Sequence, residues 1–84
     1  MEIFFTARFL RSLKKLPKLV QDEVIISVEE FKHIKNHQKL NLHKLHGKMK
    51  VYYAFSANFS YRVVVKIEKT RAYIMDVGTH EAYK

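Results

Sequence analysis

Two side chains suited to phosphate chemistry stand in the second half of the chain. Arg62 lies in the stretch YRVVVKI, whose alternating pattern is typical of a β-strand. A strand can hold a planar guanidinium in place, and a guanidinium binds a phosphate through two parallel hydrogen bonds. His80 follows Gly78 in DVGTHEAYK, and the unperturbed pKa of histidine, about 6.5, suits proton transfer near neutral pH. The alternative for Arg62 is an ordinary surface arginine. The alternative for His80 is a solvent-exposed histidine without a role, and spacing alone favours that interpretation.

Further residues with suitable chemistry lie near these two. Tyr83 could stack on a nucleobase, and it could equally cover the core. His46 is a second candidate for proton transfer, in the basic segment 43–50 that precedes the predicted strands. The candidate RNA-binding lysines are Lys44, Lys48, Lys50 and Lys66. A solvated linker is the alternative for the basic segment, because runs of charge are usually surface features.

The charge distribution favours an anionic partner. The 84 residues include 16 Lys and Arg against 8 Asp and Glu, which gives a formal net charge of +8. No carboxylate occurs between Glu30 and Glu68, although that interval holds many lysines and four histidines. Such a chain suits nucleic acid, an anionic membrane face or an acidic protein.

Several classes of function are not expected. The chain has no cysteine, which excludes disulfides and thiolate metal sites. It has no Ser-His-Asp set, phosphate-binding loop or dinucleotide-binding glycine pattern. His33 and His37 have the spacing of two zinc ligands on a helix, but no third ligand is evident. We therefore expect no metal and no other cofactor.

Length and hydropathy predict one domain that spans residues 1–84. No apolar run reaches the ~18 residues needed to cross a bilayer. The first residues carry no basic segment ahead of their apolar part, so a secretory signal is not expected. The simplest interpretation is a cytoplasmic protein without a membrane partner.

The first half of the chain predicts a strand and two helices. Residues 2–5 form a short β-type run, and Thr6 is suited to cap a helix that begins at Ala7. Apolar residues at helical spacing in this first helix are Phe9, Leu10, Leu13 and Leu16. Pro17 separates it from a second helix, which should extend from about Lys18 to about Asn36. The apolar stripe of that helix consists of Val20, Val24, Val28 and Phe31, widened by Ile25 and Ile34.

The second half predicts a basic connection and then three strands. Residues 37–50 should connect the helices to the sheet and pack Leu40, Leu42 or Leu45 inward. The stretches VYYAFSA, YRVVVKI and RAYIMDV then have the period of β-strands, and their short turns predict an antiparallel meander. The fold class is α+β, in the order β-α-α-β-β-β, with a helix hairpin packed on one face of a small, mainly antiparallel sheet. The other face carries Arg62 and Lys66 and should be at least partly open.

At LHKLHGKMKVYYAFSANFSYRVVVKI and DVGTHEAYK the chain resembles the RelE/ParE superfamily of bacterial toxins. It is most similar to the RelE/YafQ-like messenger-RNA interferases. The resemblance covers the whole chain, with LKKLPK at the bend of the helix hairpin, and its most specific parts are KLHGK, YRVVV and VGTHEAY. It implies the RelE-like fold, a toxin of a type II toxin–antitoxin system, and a cognate antitoxin as partner.

The resemblance also implies a reaction. RelE-like toxins cleave mRNA in the ribosomal A site without a metal: the 2′-hydroxyl attacks the adjacent phosphate and leaves a cyclic phosphate and a free 5′-hydroxyl. Arg62 matches the strand arginine that stabilises the transition state. His80 matches the terminal residue that acts near the leaving group, and Tyr83 matches the terminal aromatic that orients the substrate.

The chain departs from the family pattern at the general base. Some members carry paired lysines on the strand before the arginine strand, and the aligned positions here are Tyr53 and Phe55. Lys48, Lys50 or His46 could substitute for them. A ParE-like DNA gyrase inhibitor and a noncatalytic basic RNA-binding domain are the alternative functions. The combination of Arg62, His80 and Tyr83 favours the ribonuclease.

Overall fold

The computed structural model describes residues 1–47 and 51–82. Along the chain these residues form β1 (Glu2–Phe5), α1 (Ala7–Lys14), α2 (Lys18–Phe31), a 3₁₀ turn (Ile34–Asn36), β2 (His43–Lys44), β3 (Tyr53–Ser56), β4 (Tyr61–Glu68) and β5 (Arg71–Thr79). The predicted α+β class and element order are confirmed, and β2 is an additional short strand. Within the described residues, no helix has the length and apolarity needed to cross a membrane.

The five strands form one sheet in the order β1-β5-β4-β3-β2. β3, β4 and β5 pair antiparallel through short turns, which confirms the predicted meander. β1 pairs parallel with β5, from Glu2 beside Arg71 to Phe5 beside Ile74. The sheet is therefore mainly antiparallel, and β5 lies between the first strand and the strand that carries Arg62.

The main core lies between the two helices and one face of the sheet, which we call the helix-side face. Phe9 of α1 is fully buried there, and Phe31 of α2 stacks on Phe55 of β3 with ring centroids 4.6 Å apart. The other buried residues of this core are Val24, Val28, Leu40, Val63, Val65, Ala72, Ile74 and Val77. The predicted apolar stripe of α2 is thus confirmed for its central residues.

Thr6 fixes both the start of α1 and its contact with the sheet. Its hydroxyl oxygen accepts a hydrogen bond from the Phe9 N–H at 3.2 Å, which is the predicted helix cap. The same hydroxyl donates to the carbonyl oxygen of Ile74 at 2.8 Å. One side chain therefore joins the first helix to the last strand.

The second helix is shorter than predicted. α2 ends at Phe31 and not near Asn36. Two polar side chains complete its last turn: Asn36 Nδ2 donates to the Glu30 carbonyl, and His37 Nε2 contacts the Phe31 carbonyl, each at 2.9 Å. These contacts provide partners for two carbonyl groups at the end of α2, which a longer helix would have bonded to its own N–H groups. The His37 ring also stacks on Phe31.

Two other expectations for this region are corrected. Ile25 and Ile34 do not widen the buried stripe, because they are 41% and 71% exposed. His33 and His37 do not lie on one helix, since α2 has ended before either residue. Their spacing therefore does not create the paired ligands that a continuous helix would.

The predicted connection 37–50 contains the short strand β2, which pairs with β3. Leu40 and Leu45 are buried in this segment, as expected, and Leu42 is half-buried. A strand of two residues is too short to show the alternating pattern by which strands are recognised, so the sequence did not predict it. Lys48 and Lys50 lie outside the described residues.

One extra residue interrupts the pairing of β5 with β4. Val64 pairs with Asp76 while Val65 pairs with Ile74, so Met75 is the additional residue of a β-bulge. Side chains alternate between the faces of a sheet, and the extra residue therefore moves the residues from Val77 onward to the opposite face. As a result Val77 joins the main core, and Gly78 becomes the neighbour of Arg62.

Asp76 follows the bulge and is only 8% exposed. Its carboxylate accepts hydrogen bonds from Ser12 Oγ at 2.5 Å and from Arg8 Nε at 3.1 Å, both on α1. It also accepts from the Val77 N–H at 2.9 Å. These donors compensate for the loss of water around a buried carboxylate, and they hold α1 against β5 at the bulge.

Asp76→Ala should lower the free energy of unfolding by about 1–3 kcal/mol, because it removes the acceptor shared by Ser12, Arg8 and the buried Val77 N–H. Asp22→Ala is the matched control, since Asp22 forms an exposed ion pair with Lys18 at 2.9 Å. Such exposed pairs contribute at most about 1 kcal/mol. Urea unfolding followed by circular dichroism measures both, and equal stabilities of the two variants would contradict the role of Asp76.

Candidate active site

Arg62 lies on the face of the sheet opposite the helices, which we call the site face. It is half-buried, and its Nη1 donates to the carbonyl oxygens of Asn58 at 3.3 Å and Tyr61 at 3.4 Å. Within the part of the chain that the structure describes, no carboxylate forms an ion pair with Arg62. Its guanidinium is therefore held by neutral groups, and its positive charge is available to an anion.

His80 is held at the same end of the site face. Its backbone N–H donates to the Ser60 carbonyl at 2.8 Å, which continues the pairing of β5 with β4 beyond Thr79. His80 thus occupies the position diagonal to Arg62, for which separations in an antiparallel pair are about 7–8 Å. The structure brings together the two residues that sequence reasoning had proposed for phosphate and proton chemistry, and the His80 side chain is exposed.

Gly78 lies within the last strand and not after it. The predicted strand RAYIMDV stopped at Val77, but β5 continues through Gly78 to Thr79. Gly78 is the direct cross-strand neighbour of Arg62. Because glycine has no side chain, the space next to the guanidinium on that strand is bordered by backbone alone, which suits close approach of a ligand.

The middle of the site face is not open. Leu45, Ala54 and Val64 are buried there in a second apolar cluster, with Tyr52 and Met75 packed against them. The apolar cluster covers the centre of this face, so any open part of it lies toward its two ends. Arg62 lies at one end and Lys66 at the other, about 13 Å away at the usual rise of a strand.

The Lys66 end differs in chemistry from the Arg62 end. Lys66 Nζ lies 3.7 Å from a carboxylate oxygen of Glu68. Its cross-strand neighbour Tyr73 stacks on Phe4, with ring centroids 5.3 Å apart. Lys66 is on the predicted face, but it has an acidic neighbour that Arg62 lacks.

Lys44 and His46 are not brought to Arg62. Lys44 pairs with Tyr53, which packs in the main core, so the register assigns Lys44 to the helix-side face. His46 follows Leu45, whose N–H donates to the Tyr52 carbonyl next to the Lys66 end. From the usual strand rise and spacing, its register position is about 19 Å from that of Arg62.

His43 is a candidate base that sequence reasoning did not propose. It pairs with Ala54, which pairs with Val64, so its register position is on the site face about 12 Å from Arg62. Its Nδ1 lies 2.9 Å from the Asn41 carbonyl oxygen. A carbonyl oxygen only accepts, so Nδ1 carries a proton and the Nε2 of the neutral ring is a free acceptor. The sequence did not predict the two-residue strand β2, so it could not show which face of the sheet His43 lies on.

Tyr53 and Phe55, the positions aligned with the paired lysines of some family members, face the main core and not Arg62. Tyr53 packs against the main core and Phe55 is fully buried in it. The residues that β3 presents beside Arg62 and Val64 are Ser56 and Ala54. Neither Ser56 nor Ala54 is a cation. β3 therefore supplies no lysine beside Arg62, as expected, although the positions that decide this are not the aligned ones.

Tyr83, Lys48 and Lys50 lie outside the described residues, and their assigned roles remain predictions. Among residues 1–47 and 51–82, no group of three His, Cys, Asp or Glu side chains could hold a metal ion.

Comparison with known proteins gives structural matches only. No family model matches the chain, and no curated protein matches it. The solved structures that do match include the protein HP0894 from Helicobacter pylori, with a TM-score of 0.78 and 16% identity over 96% of both chains. A YafQ mutant from E. coli gives a TM-score of 0.72 at 18% identity, over 96% of this chain and 94% of that one. The RelBE2 toxin–antitoxin complex from Mycobacterium tuberculosis gives 0.69 at 21% identity, over 94% and 96% of the chains.

The chain has the RelE-like fold. Because the matches extend over nearly the whole of both chains, the correspondence covers the complete RelE-like fold and not one motif of it. Arg62 and His80 thus lie on the sheet of this fold, opposite the helix hairpin.

The hydrogen bonds of His43 and His37 predict opposite tautomers. At alkaline pH, where imidazole is neutral, His43 should carry its proton on Nδ1 because that nitrogen contacts the Asn41 carbonyl. His37 should carry it on Nε2, which contacts the Phe31 carbonyl. Long-range ¹H–¹⁵N correlation spectra of the folded protein report the tautomer of each ring. A His43 ring protonated on Nε2 would remove it as a candidate base.

Proposed function

We propose that this protein is the toxin of a type II toxin–antitoxin pair and that it cleaves messenger RNA at the ribosome. The observation that carries the proposal is the placement of Arg62 and His80 together on the site face of a RelE-like fold. The net charge of +8 supports a polyanionic substrate. A soluble, cytoplasmic setting follows from this role.

The proposed step is an internal phosphoryl transfer. The 2′-hydroxyl oxygen of one nucleotide forms a bond to the adjacent phosphorus while a base takes its proton, and the bond from phosphorus to the 5′-oxygen breaks. Arg62 stabilises the negative charge that accumulates on the phosphate oxygens. His80 gives a proton to the departing 5′-oxygen, so the products are a cyclic phosphate and a 5′-hydroxyl. Tyr83 is assigned to orient the substrate, and no metal or cofactor is part of the step.

Two histidines compete for the role of base. His46 was one of three candidates from the sequence, with Lys48 and Lys50, and it lies toward the Lys66 end of the sheet. His43 has the shorter register distance to Arg62 and a free Nε2 in its neutral form. Geometry therefore favours His43, and the comparison of His43→Gln with His46→Gln in a cleavage assay distinguishes them. The lysines Lys44, Lys48, Lys50 and Lys66 supply charge for RNA binding in this proposal.

A DNA gyrase inhibitor is the second candidate, because ParE-like toxins have the same fold. Expression of the protein followed by sequencing of transcript ends separates the two functions. Codon-phased cuts support the ribonuclease, and gyrase-linked DNA breaks without such cuts support the inhibitor. If neither the transcript cuts nor the DNA breaks are found, the protein is a noncatalytic RNA-binding domain.

His80→Ala should lower RNA cleavage by about 10²–10⁴-fold, the usual contribution of a positioned proton donor. His80→Gln should be nearly as inactive, because an amide cannot transfer the proton. Arg62→Lys should also fail, since an ammonium cannot make the planar two-pronged contact with phosphate. Cleavage of a translated message measures all three effects.

Circular dichroism provides the folding control for these variants. The control matters most for Arg62, which is half-buried, and less for His80, which is exposed. Surface changes usually alter stability by less than about 0.5 kcal/mol, so the His80 variants should fold normally. A folded His80→Ala protein with parental cleavage would remove His80 from the mechanism.

An antitoxin partner could bind the basic site face or the helix hairpin. The outer side of α2 carries Leu19 and Ile26, which are 78% and 61% exposed and seven residues apart. That spacing places both on one side of a helix. Exposed apolar side chains that line up in this way suit the apolar face of a partner segment that folds on binding. The helix hairpin is therefore the favoured surface.

Leu19→Ser combined with Ile26→Ser should abolish rescue of growth by the protein encoded beside the toxin, with toxicity unchanged. Both side chains are exposed, so the fold does not depend on them. Lys44→Glu combined with Lys66→Glu is the matched control, and its complex should persist. Loss of the complex in the lysine variant alone, together with weakening of the parental complex by salt, would show that the partner binds the basic residues instead.

A further inference from the structure

Phe59 is an aromatic side chain with almost no protein contact. It is 98% exposed, and it lies in the turn between β3 and β4. Phe4, Phe5, Phe9, Phe31 and Phe55 all stack on another ring of the protein. Scattered exposed apolar residues are common on protein surfaces, so exposure alone assigns no role to Phe59.

The turn that carries Phe59 is held firmly. The side-chain oxygen of Asn58 accepts hydrogen bonds from the N–H groups of Ser60 and Tyr61, each at 2.8 Å. Asn58 Nδ2 donates to Glu23 Oε1 of α2 at 3.1 Å. The Ala57 N–H donates to the Tyr61 carbonyl at 3.0 Å and closes the turn. An exposed ring on such a turn loses little backbone entropy when it binds a ligand.

The same turn supports both residues of the candidate active site. The Asn58 carbonyl accepts from Arg62 Nη1, and the Ser60 carbonyl accepts from the His80 N–H. Phe59 lies between Asn58 and Ser60 in the chain. Its backbone is therefore adjacent to the two carbonyl groups that contact the proposed phosphate-binding and proton-donating residues.

We infer that Phe59 is a stacking residue for a nucleobase of single-stranded RNA, next to the phosphate that Arg62 binds. This inference rests on the proposed function and adds a substrate contact to it. A nucleobase presents a flat π-surface of the right size for a phenyl ring, and such stacking tolerates any base. It holds the nucleotide in line with Arg62 and His80, so Phe59 is a positioning residue.

Phe4 offers a matched control at the other end of the sheet. It is a half-exposed phenylalanine, 40% accessible, whose ring already stacks on Tyr73. It is remote from Arg62 by the register of β1 with β5 and of β5 with β4. Changes at Phe4 therefore show the effect of removing an exposed aromatic residue that does not contact the proposed nucleobase.

The experiment measures binding of a short single-stranded oligoribonucleotide to the full-length His80→Gln protein, which should not cleave it. In this background Phe59→Ala should weaken binding by about fivefold to 150-fold, the range expected for one base–aromatic stack. Phe59→Leu should bind as poorly, because it keeps an apolar side chain but no ring. Phe4→Ala should bind like its parent.

Tryptophan provides a direct readout of stacking. The chain has no tryptophan, so Phe59→Trp introduces a single fluorophore into the turn. RNA should quench its fluorescence and bind at least as tightly as to the Phe59 protein. A Phe4→Trp protein should show no such quenching on addition of the same RNA.

The results separate this inference from the function on which it rests. RNA binding that Phe59→Ala leaves unchanged, with no quenching in Phe59→Trp, would overturn the stacking role while leaving the ribonuclease proposal in place. Quenching and weakened binding in the Phe59 variants, with no cleavage by the parental protein, would support stacking and overturn the ribonuclease. Absence of oligoribonucleotide binding to the His80→Gln protein would overturn the stacking role, whereas cleavage of a translated message by the parental protein decides the ribonuclease proposal separately.

Discussion

The single extra residue in β5 determines which side chains can work together in this protein. Without the bulge at Met75, regular alternation would give Val77 to the site face and turn Gly78 and the following even-numbered residues toward the helices. With it, Gly78 is the neighbour of Arg62, and His80 continues on the same face. The carboxylate of Asp76, bound to Ser12 and Arg8, holds α1 at the same point. Packing of the helix and composition of the candidate site thus depend on one irregularity in the backbone.

The site face is divided by the second apolar cluster into two ends of different character. At the Arg62 end, a guanidinium held by carbonyl oxygens lies beside a glycine and close to an exposed imidazole. At the other end, Lys66 has Glu68 nearby and borders a stacked aromatic pair. The long interval without carboxylates in the sequence spreads over both faces, as the position of Lys44 on the helix-side face demonstrates. Uniform charge along the chain therefore does not amount to a uniform basic surface.

The sequence predicted most of the fold because local signals and burial agree for most elements. Thr6 caps α1, the stripe from Val24 to Phe31 is buried, and the β3-β4-β5 meander follows from its short turns. The end of α2 was missed because Asn36 and His37 complete its last turn with side-chain contacts, which helical periodicity does not reveal. Arg62 and His80 were proposed from residue type and from the resemblance, while their proximity could be known only from the register of β5. The place of His43 on the site face and the role of Phe59 were not predicted for a related reason. The first depends on a two-residue strand, and the second on an exposure that no sequence pattern encodes.

The connection of the first strand to the last has a consequence for the order of folding. β1 has β5 as its strand neighbour, and the Thr6 hydroxyl bonds to Ile74 across a separation of 68 residues. Contacts this distant in sequence form late, since the intervening chain must be closed into a loop first. During synthesis, α1 and β1 therefore lack their docking surface until residues 71–79 have left the ribosome. Until then the nascent chain has neither its complete sheet nor the pairing that places His80 beside Arg62.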